Sequence, residues 1–209
     1  MSMHWQGGNE SFPIVEIHDV RTEKFRADRY LGLRAFGVPE IGQFRIAGEA
    51  DRLISLRGFA SMEARRKLLT EFHNGPDWAA QRREVADLTR SEEVVLTRAI
   101  TPASGLRLTL PADGVQMLVS ELRFPEQIGN YHLWLRLLLR KAGLDPIAAF
   151  ATLESTNDVP AVPVVKNRTQ HIALLRRGGA VSVLPRELRG MLRYAPEILT
   201  LEPALSLVW

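Results

Sequence analysis

From residue 14 onward, apolar and polar positions alternate with a period of two, change to a period near 3.6, and change back. Ile14 to Val20 places Val15 and Ile17 on one face and Glu16 and His18 on the other, which predicts a strand. Glu23 to Phe36 has helical spacing, with Phe25, Tyr30, Leu33 and Phe36 as buried positions, and Gly37 and Pro39 end it. Ile41 to Ile46 and Arg52 to Phe59 are the next strands, and the short turn Gly48 to Asp51 makes them a hairpin. Ser61 is the expected N-cap of a second helix, with Glu63 in its first turn, where the helix dipole favours a carboxylate. Ala64, Leu68, Leu69 and Phe72 supply its apolar stripe. Asn74-Gly75-Pro76 then interrupts the pattern, because proline lacks the N–H that a helix interior uses yet suits the start of a new helix. The new helix turns Trp78, Val85 and Leu88 inward and Arg82, Arg83 and Glu84 outward, and Val94 to Ile100 is a fourth strand.

Strand, helix, strand, strand, helix, strand is the split βαβ order of ferredoxin-like units. Helices on one face of such a sheet leave the other face in need of cover. Thr101 to Gly114 holds two prolines and two glycines and reads as a connection. The order then recurs. Val115 to Phe124 is a strand, Gln127 to Ala142 a helix with Leu133, Leu137 and Leu138 inward, and Ile147 to Leu153 a strand. After a long loop, His171 to Arg176 is a strand, Pro185 to Leu192 a short helix and Leu199 to Val208 the last strand. The expected fold is α+β: two tandem ferredoxin-like halves, 12–100 and 115–209, joined by 101–114, with their antiparallel sheets facing each other. Two segments support the repeat. Val15-Glu16-Ile17-His18 aligns with Ser120-Glu121-Leu122-Arg123, and Leu53-Ile54-Ser55-Leu56-Arg57 with Ile172-Ala173-Leu174-Leu175-Arg176.

Composition narrows the function classes. Of 209 residues, 45% are hydrophobic and 24% charged, which suits a folded globular chain. The net charge of +3 is small and both signs are mixed, so Arg65, Arg66, Lys67 and Arg82, Arg83 read as solvated helix faces and no nucleic-acid partner is expected. With no cysteine, disulfides, thiolate metal sites and thiol nucleophiles are excluded. No run approaches the roughly 20 apolar residues of a membrane span; Leu133 to Leu139 is too short and is broken by Arg136. Met1 to Ser11 is polar, so no membrane partner and a cytoplasmic location are expected.

Three segments carry a family resemblance: Leu56-Arg57-Gly58-Phe59, Ser61-Met62-Glu63-Ala64-Arg65-Arg66, and Phe72-His73-Asn74-Gly75-Pro76-Asp77-Trp78. In its arginine-glycine-phenylalanine strand end, alanine-arginine helix and glycine-proline-x-tryptophan helix restart, the chain resembles the NIPSNAP family. The likeness runs over about Ile14 to Ile100 and touches the second half at Glu121-Leu122-Arg123, which is similar to the family's first-strand glutamate-x-arginine pattern. The first strand departs from that pattern at His18, where arginine is usual, and at Val20, where an aromatic is usual. The resemblance implies the dimeric α/β-barrel superfamily, a cavity between facing sheets, and an homodimer as one expected assembly. It implies no settled activity.

If the sheets face each other, side chains on the facing sides line a cavity. Glu16, His18 and Arg57 are the candidate catalytic residues, and Gln43, Arg45, Ser55, Phe59, Glu121, Arg123 and Arg176 the candidate ligand-binding ones. A carboxylate beside an arginine in such a cavity stays ionised, and His18 beside Glu16 could act as general base. The arrangement would suit a small apolar molecule with a carbonyl or phenol group. The alternative is that Glu16–Arg57 and Glu121–Arg176 are internal ion pairs in a non-catalytic interaction protein. His73, His132 and His171 are expected in structural roles, and without HxH or HExxH spacing no metal site is expected. Some barrel relatives bind haem, so a haem-ligating histidine stays open, but the expectation is no cofactor. There is no GxSxG elbow, Walker loop or GxGxxG turn, so nucleotide-dependent chemistry is not supported.

Overall fold

The computed structural model describes residues 12–23, 26–34, 40–100, 114–144, 146–177 and 184–204. The expected connection up to residue 113, Phe25, Phe36, the Gly178-Gly179 turn and the stretch after 204 lie outside the described residues, as does the side chain of Leu33. The elements in chain order are β1 (Ile14–Thr22), α1 (Ala27–Arg34), β2 (Glu40–Ile46), β3 (Glu49–Phe59), α2 (Met62–Asn74), α3 (Pro76–Leu88) and β4 (Thr89–Ala99). They continue with β5 (Val115–Glu121), a 3-10 turn (Pro125–Gln127), α4 (Ile128–Lys141), β6 (Pro146–Thr152), β7 (Gln170–Arg176), α5 (Arg186–Met191) and β8 (Glu197–Pro203).

All eight strands form one antiparallel sheet closed into a barrel, in the order β1-β3-β2-β8-β5-β7-β6-β4. Read from β4, the first four strands run 4-1-3-2 and the last four 8-5-7-6, the same permutation twice. Closure leaves no free sheet edge. It is made at two short seams: Phe44, Arg45 and Ile46 pair with Pro203, Glu202 and Leu201, and Thr97, Arg98 and Ala99 pair with Thr152, Ala151 and Phe150.

Alternation decides what fills the barrel. Val15, Ile17, Phe44, Ile46, Ile54, Leu56, Met117, Phe150, Ile172, Leu174, Leu199 and Leu201 form one buried apolar cluster drawn from both halves. The interior is therefore packed hydrocarbon, and the polar positions of the same strands face outward under the helices. Gly58 belongs to this packing: a Cβ there would sit 2.5 Å from the ring of Phe12, which closes the cluster. That explains the glycine in Arg57-Gly58-Phe59. Outside the barrel, α1 and α3 cover Val20 and Leu53, while α2 and the loop before β7 cover Phe59 and Val94. In the second half, α4 and α5 cover Leu118, Ala173 and Leu175.

Two helix faces differ from the expected stripes. In α2 the buried residues are Arg65 and Leu69, and Ala64, Leu68 and Phe72 are only partly buried. An arginine goes inside because a buried carboxylate awaits it. In α4 the buried residues are Tyr131, Leu135 and Leu139, and Leu133 and Leu137 are exposed. That helix has two apolar faces, so spacing alone does not say which is inward. Among the described residues, no helix is long and apolar enough to cross a membrane.

Candidate functional site

β1 and β3 pair so that Glu16 lies opposite Arg57 and His18 opposite Ser55; β2 continues the two rows with Glu40 opposite Arg57 and Gln43 opposite Ser55. These positions share the outer face, between the sheet and the helices. The expected location inside the barrel is corrected accordingly: Val15, Ile17, Ile54 and Leu56 take the inward positions, and a polar band crosses the covered outer face. Glu16, His18, Ser55, Arg57 and Phe59 are all buried there. The band separates the apolar cluster under α1 and α3 from the one under α2.

Glu16 is the hub. Its Oε1 accepts a hydrogen bond from Arg65 Nε at 2.6 Å, and its Oε2 from His18 Nε2 at 3.0 Å. The other His18 nitrogen, Nδ1, meets Glu92 Oε1 of β4 at 2.8 Å. Arg65 is fully buried and extends the chain outward, from Nη1 to Asp158 Oδ1 at 2.7 Å and from Nη2 to Asn157 Oδ1 at 3.4 Å. Burial alone would raise the Glu16 pKa. The His18 hydrogen bond and the charges of His18, Arg65 and Arg57 outweigh it and hold the carboxyl at about 2, against an ordinary 4.5. So low a pKa suits a fixed anion that orients a histidine and makes a poor proton acceptor. Glu92 is the partly exposed end of this chain of contacts.

The arginine expected to pair with Glu16 was Arg57. The direct partner is Arg65, and Arg57 acts on Glu16 through its charge. Ser55 Oγ donates to Glu40 Oε1 at 2.8 Å. Gln43 has a buried Oε1 with no hydrogen-bond partner, on the same face. Arg45 leaves the band and pairs with Asp28 of α1, and Phe59 packs with Leu69 and Val94. Sequence reasoning missed Arg65, Glu92 and Asp158. Arg65 had a signal, because it lies four residues before Leu69 and shares its face.

The expected second site is not assembled. Glu121 pairs with Gln170 and Arg176 with Val115, at opposite ends of β5 and β7, roughly 20 Å apart at the usual strand rise. Glu121 Oε1 accepts from the Thr169 N–H at 2.9 Å, Arg123 Nε donates to the Leu192 carbonyl at 2.9 Å, and Arg176 is exposed. The matching bulges of β2–β3 and β6–β7 place Glu16–Arg57 at the level of Gln116–Leu175 and His18–Ser55 at the level of Leu118–Ala173, so the band has no polar repeat. A different polar cluster lies at Ser120 and His171, which pair across β5 and β7. There Tyr131 donates to Ser120 Oγ at 2.8 Å, and His171 Nε2 lies 3.0 Å from His132 Nδ1. Burial, then the neighbouring His132, pushes the His171 pKa down to about 3. Burial also lowers His132, together with Arg136, and raises Tyr131 against the Ser120 hydrogen bond. This cluster is neutral where the first-half band is ionic.

A surface groove of about 530 Å³ lies between α1 and α3, lined by Glu23, Arg26, Arg29, Glu84, Asp87 and Leu88. It is charged, open, and remote from the polar band. The Phe72, His73 and Trp78 rings pack against one another at 5.2 Å around the α2–α3 break, so this part of the resemblance marks a structural joint. Among the described residues, no group of three histidine or carboxylate side chains could hold a metal ion.

No family model matches the chain, and no curated protein does. Among solved structures, it is similar to a protein of Lactobacillus acidophilus NCFM described as a "putative monooxygenase", with 12% identity, 93% of this chain and 95% of that chain covered, and a TM-score of 0.54. A second protein so described, from Fusobacterium nucleatum subsp. nucleatum ATCC 25586, matches with 8% identity, 93% and 94% covered, and a TM-score of 0.52. A NIPSNAP family protein from Agrobacterium tumefaciens str. C58 matches with 21% identity over 40% of this chain and 89% of that chain, at a TM-score of 0.35. The family that residues 57–78 resemble is thus among the solved structures matched, over part of the chain. The two whole-length likenesses establish the fold alone: a mixed chain of helices and antiparallel sheet of ferredoxin-like barrel type.

Proposed function

We propose that the chain is a NIPSNAP-like protein that binds or transforms a small, mainly apolar molecule bearing a carbonyl or phenol group, without a nucleotide cofactor, at the polar band of its first half. The reading includes two tandem ferredoxin-like units, 12–100 and 115–209, joined by 101–114. One observation carries it: His18 is held through Nε2 by a fully buried Glu16 whose pKa is lowered to about 2, while Nδ1 faces the partly exposed Glu92. A histidine oriented on one nitrogen by a fixed carboxylate is equipped to handle a proton on the other. Glu92 marks the side from which a ligand would arrive, displacing its carboxylate from Nδ1. Arg57 on β3, opposite Glu16, adds positive charge that helps keep Glu16 ionised. The "putative monooxygenase" description of the two fold neighbours suggests hydroxyaryl compounds as probes.

The test is a thermal-shift and calorimetric screen of small phenols and diketones against wild type and His18→Gln. Wild type should bind at least one class, and His18→Gln should bind it about tenfold or more weakly, roughly 1.4 kcal/mol. If Arg57→Ala and His18→Gln lower stability and leave binding and turnover unchanged, the reading fails.

A further inference from the structure

α4 is apolar on two opposite faces. Tyr131, Leu135 and Leu139 pack on the sheet. At 100° per residue, Leu133 and Leu137 form a ridge on the side opposite Leu135, with Trp134 on its flank. They are 60%, 54% and 63% exposed. A helix with two apolar faces covers only one of them here, and an apolar ridge of this kind marks a contact surface. The charge along the helix is segregated. α4 contains no acidic residue and ends on Arg140 and Lys141, while the 3-10 turn that leads into it carries exposed Glu126. Exposed Phe124 sits just ahead of that turn.

We propose that this face binds a second copy of the chain, α4 against α4, antiparallel about a two-fold axis near the level of Leu135. Reversal brings Leu133 of each copy against Leu137 of the other and sets Glu126 of each near Lys141 of the other. The helix dipoles oppose favourably in the same arrangement. A parallel pairing would stack Lys141 on Lys141. An anionic lipid surface calls for basic residues along the whole face, and the N-terminal part of this one offers Glu126 and Asn130 instead. Arg136, off the ridge, stays at the solvated rim. The inference is independent of the first-half polar band.

Sedimentation velocity of the full chain tests it. Wild type should sediment as a dimer in the micromolar range. Leu137→Glu should be monomeric with an unchanged circular dichroism spectrum, since the residue is exposed. Lys141→Glu should weaken the dimer about tenfold, and Glu126→Lys combined with Lys141→Glu should restore it. A monomeric wild type overturns the proposal, and so does a Leu137→Glu protein that stays dimeric. A double charge reversal that fails to restore association overturns the antiparallel pairing. Wild type that remains monomeric yet co-sediments with phosphatidylglycerol vesicles replaces the second copy with a lipid surface.

Discussion

At the scale of single residues, the molecule depends on one carboxylate. Arg65 is compensated by two carboxylates, Glu16 and Asp158, so Glu16→Gln leaves Arg65 buried with half its compensation. Breaking such a buried pair costs about 3–5 kcal/mol, which urea unfolding at neutral pH would register. The pH dependence has a definite sign. In the unfolded chain Glu16 takes up a proton near 4.5, and in the folded protein only near 2. Its contribution is present above 4.5 and is lost as pH falls toward 2, roughly 3 kcal/mol in all. His171 acts in a second window. Its folded pKa of about 3 lies below the ordinary 6.5, so the unfolded chain binds the extra proton and stability declines as pH drops from 6.5 toward 3. Between 6.5 and 4.5 that decline belongs to His171 together with its neighbour His132, whose pKa burial also lowers, and His171→Asn should reduce it; Glu16→Gln should not. Stability curves of the two variants against pH separate the effects.

At the scale of elements, local signals worked where one residue dictates the chain. Ser61 caps α2 by accepting from the Ala64 N–H, and Pro76 opens α3. Ser61→Ala should therefore cost about 1 kcal/mol, measurable in the same unfolding assay. The pattern of strands and helices, and the Arg57 to Trp78 segment, were readable because caps, prolines and period-two alternation are local. Three things were not. Strand alternation reveals two faces but cannot say which lies inside a barrel, so Glu16, His18 and Arg57 were placed inward when hydrocarbon occupies that side. Arg65 sat in a run of basic residues and looked solvated, although its partner lies 49 residues away in sequence. The second-half repeat has another register than the residue types suggest, because Glu121 and Arg176 match Glu16 and Arg57 in type while Gln116 and Leu175 match them in position.

At the scale of the whole molecule, barrel closure is the weak point and Arg52 reinforces it. From β3, its Nε and Nη2 bond Asp19 of β1, the latter at 2.6 Å, and its Nη1 bonds Glu197 of β8 at 2.9 Å, beside the β2–β8 seam. These carboxylates raise the Arg52 pKa further above its ordinary value, the Asp19 hydrogen bond most of all. Each seam has only three paired positions per strand. Hydrogen exchange should thus open the seams before the β1–β3 ladder, and Arg52→Met should lower stability by about 1–3 kcal/mol while speeding exchange at Ile46 and Ala47 more than at Ile17. Uniform acceleration along the barrel would contradict this role for Arg52.

The proposed ligand site is the covered polar band rather than the barrel interior. A crystal structure of the protein with the tightest phenol or diketone from the binding screen tests it most directly. Ligand density should lie against His18 Nδ1, with Glu92 displaced and the Glu16–His18 contact intact. Density inside the barrel among Ile17, Leu56 and Phe150, or a ligand bound elsewhere with Glu92 still on His18, would contradict it.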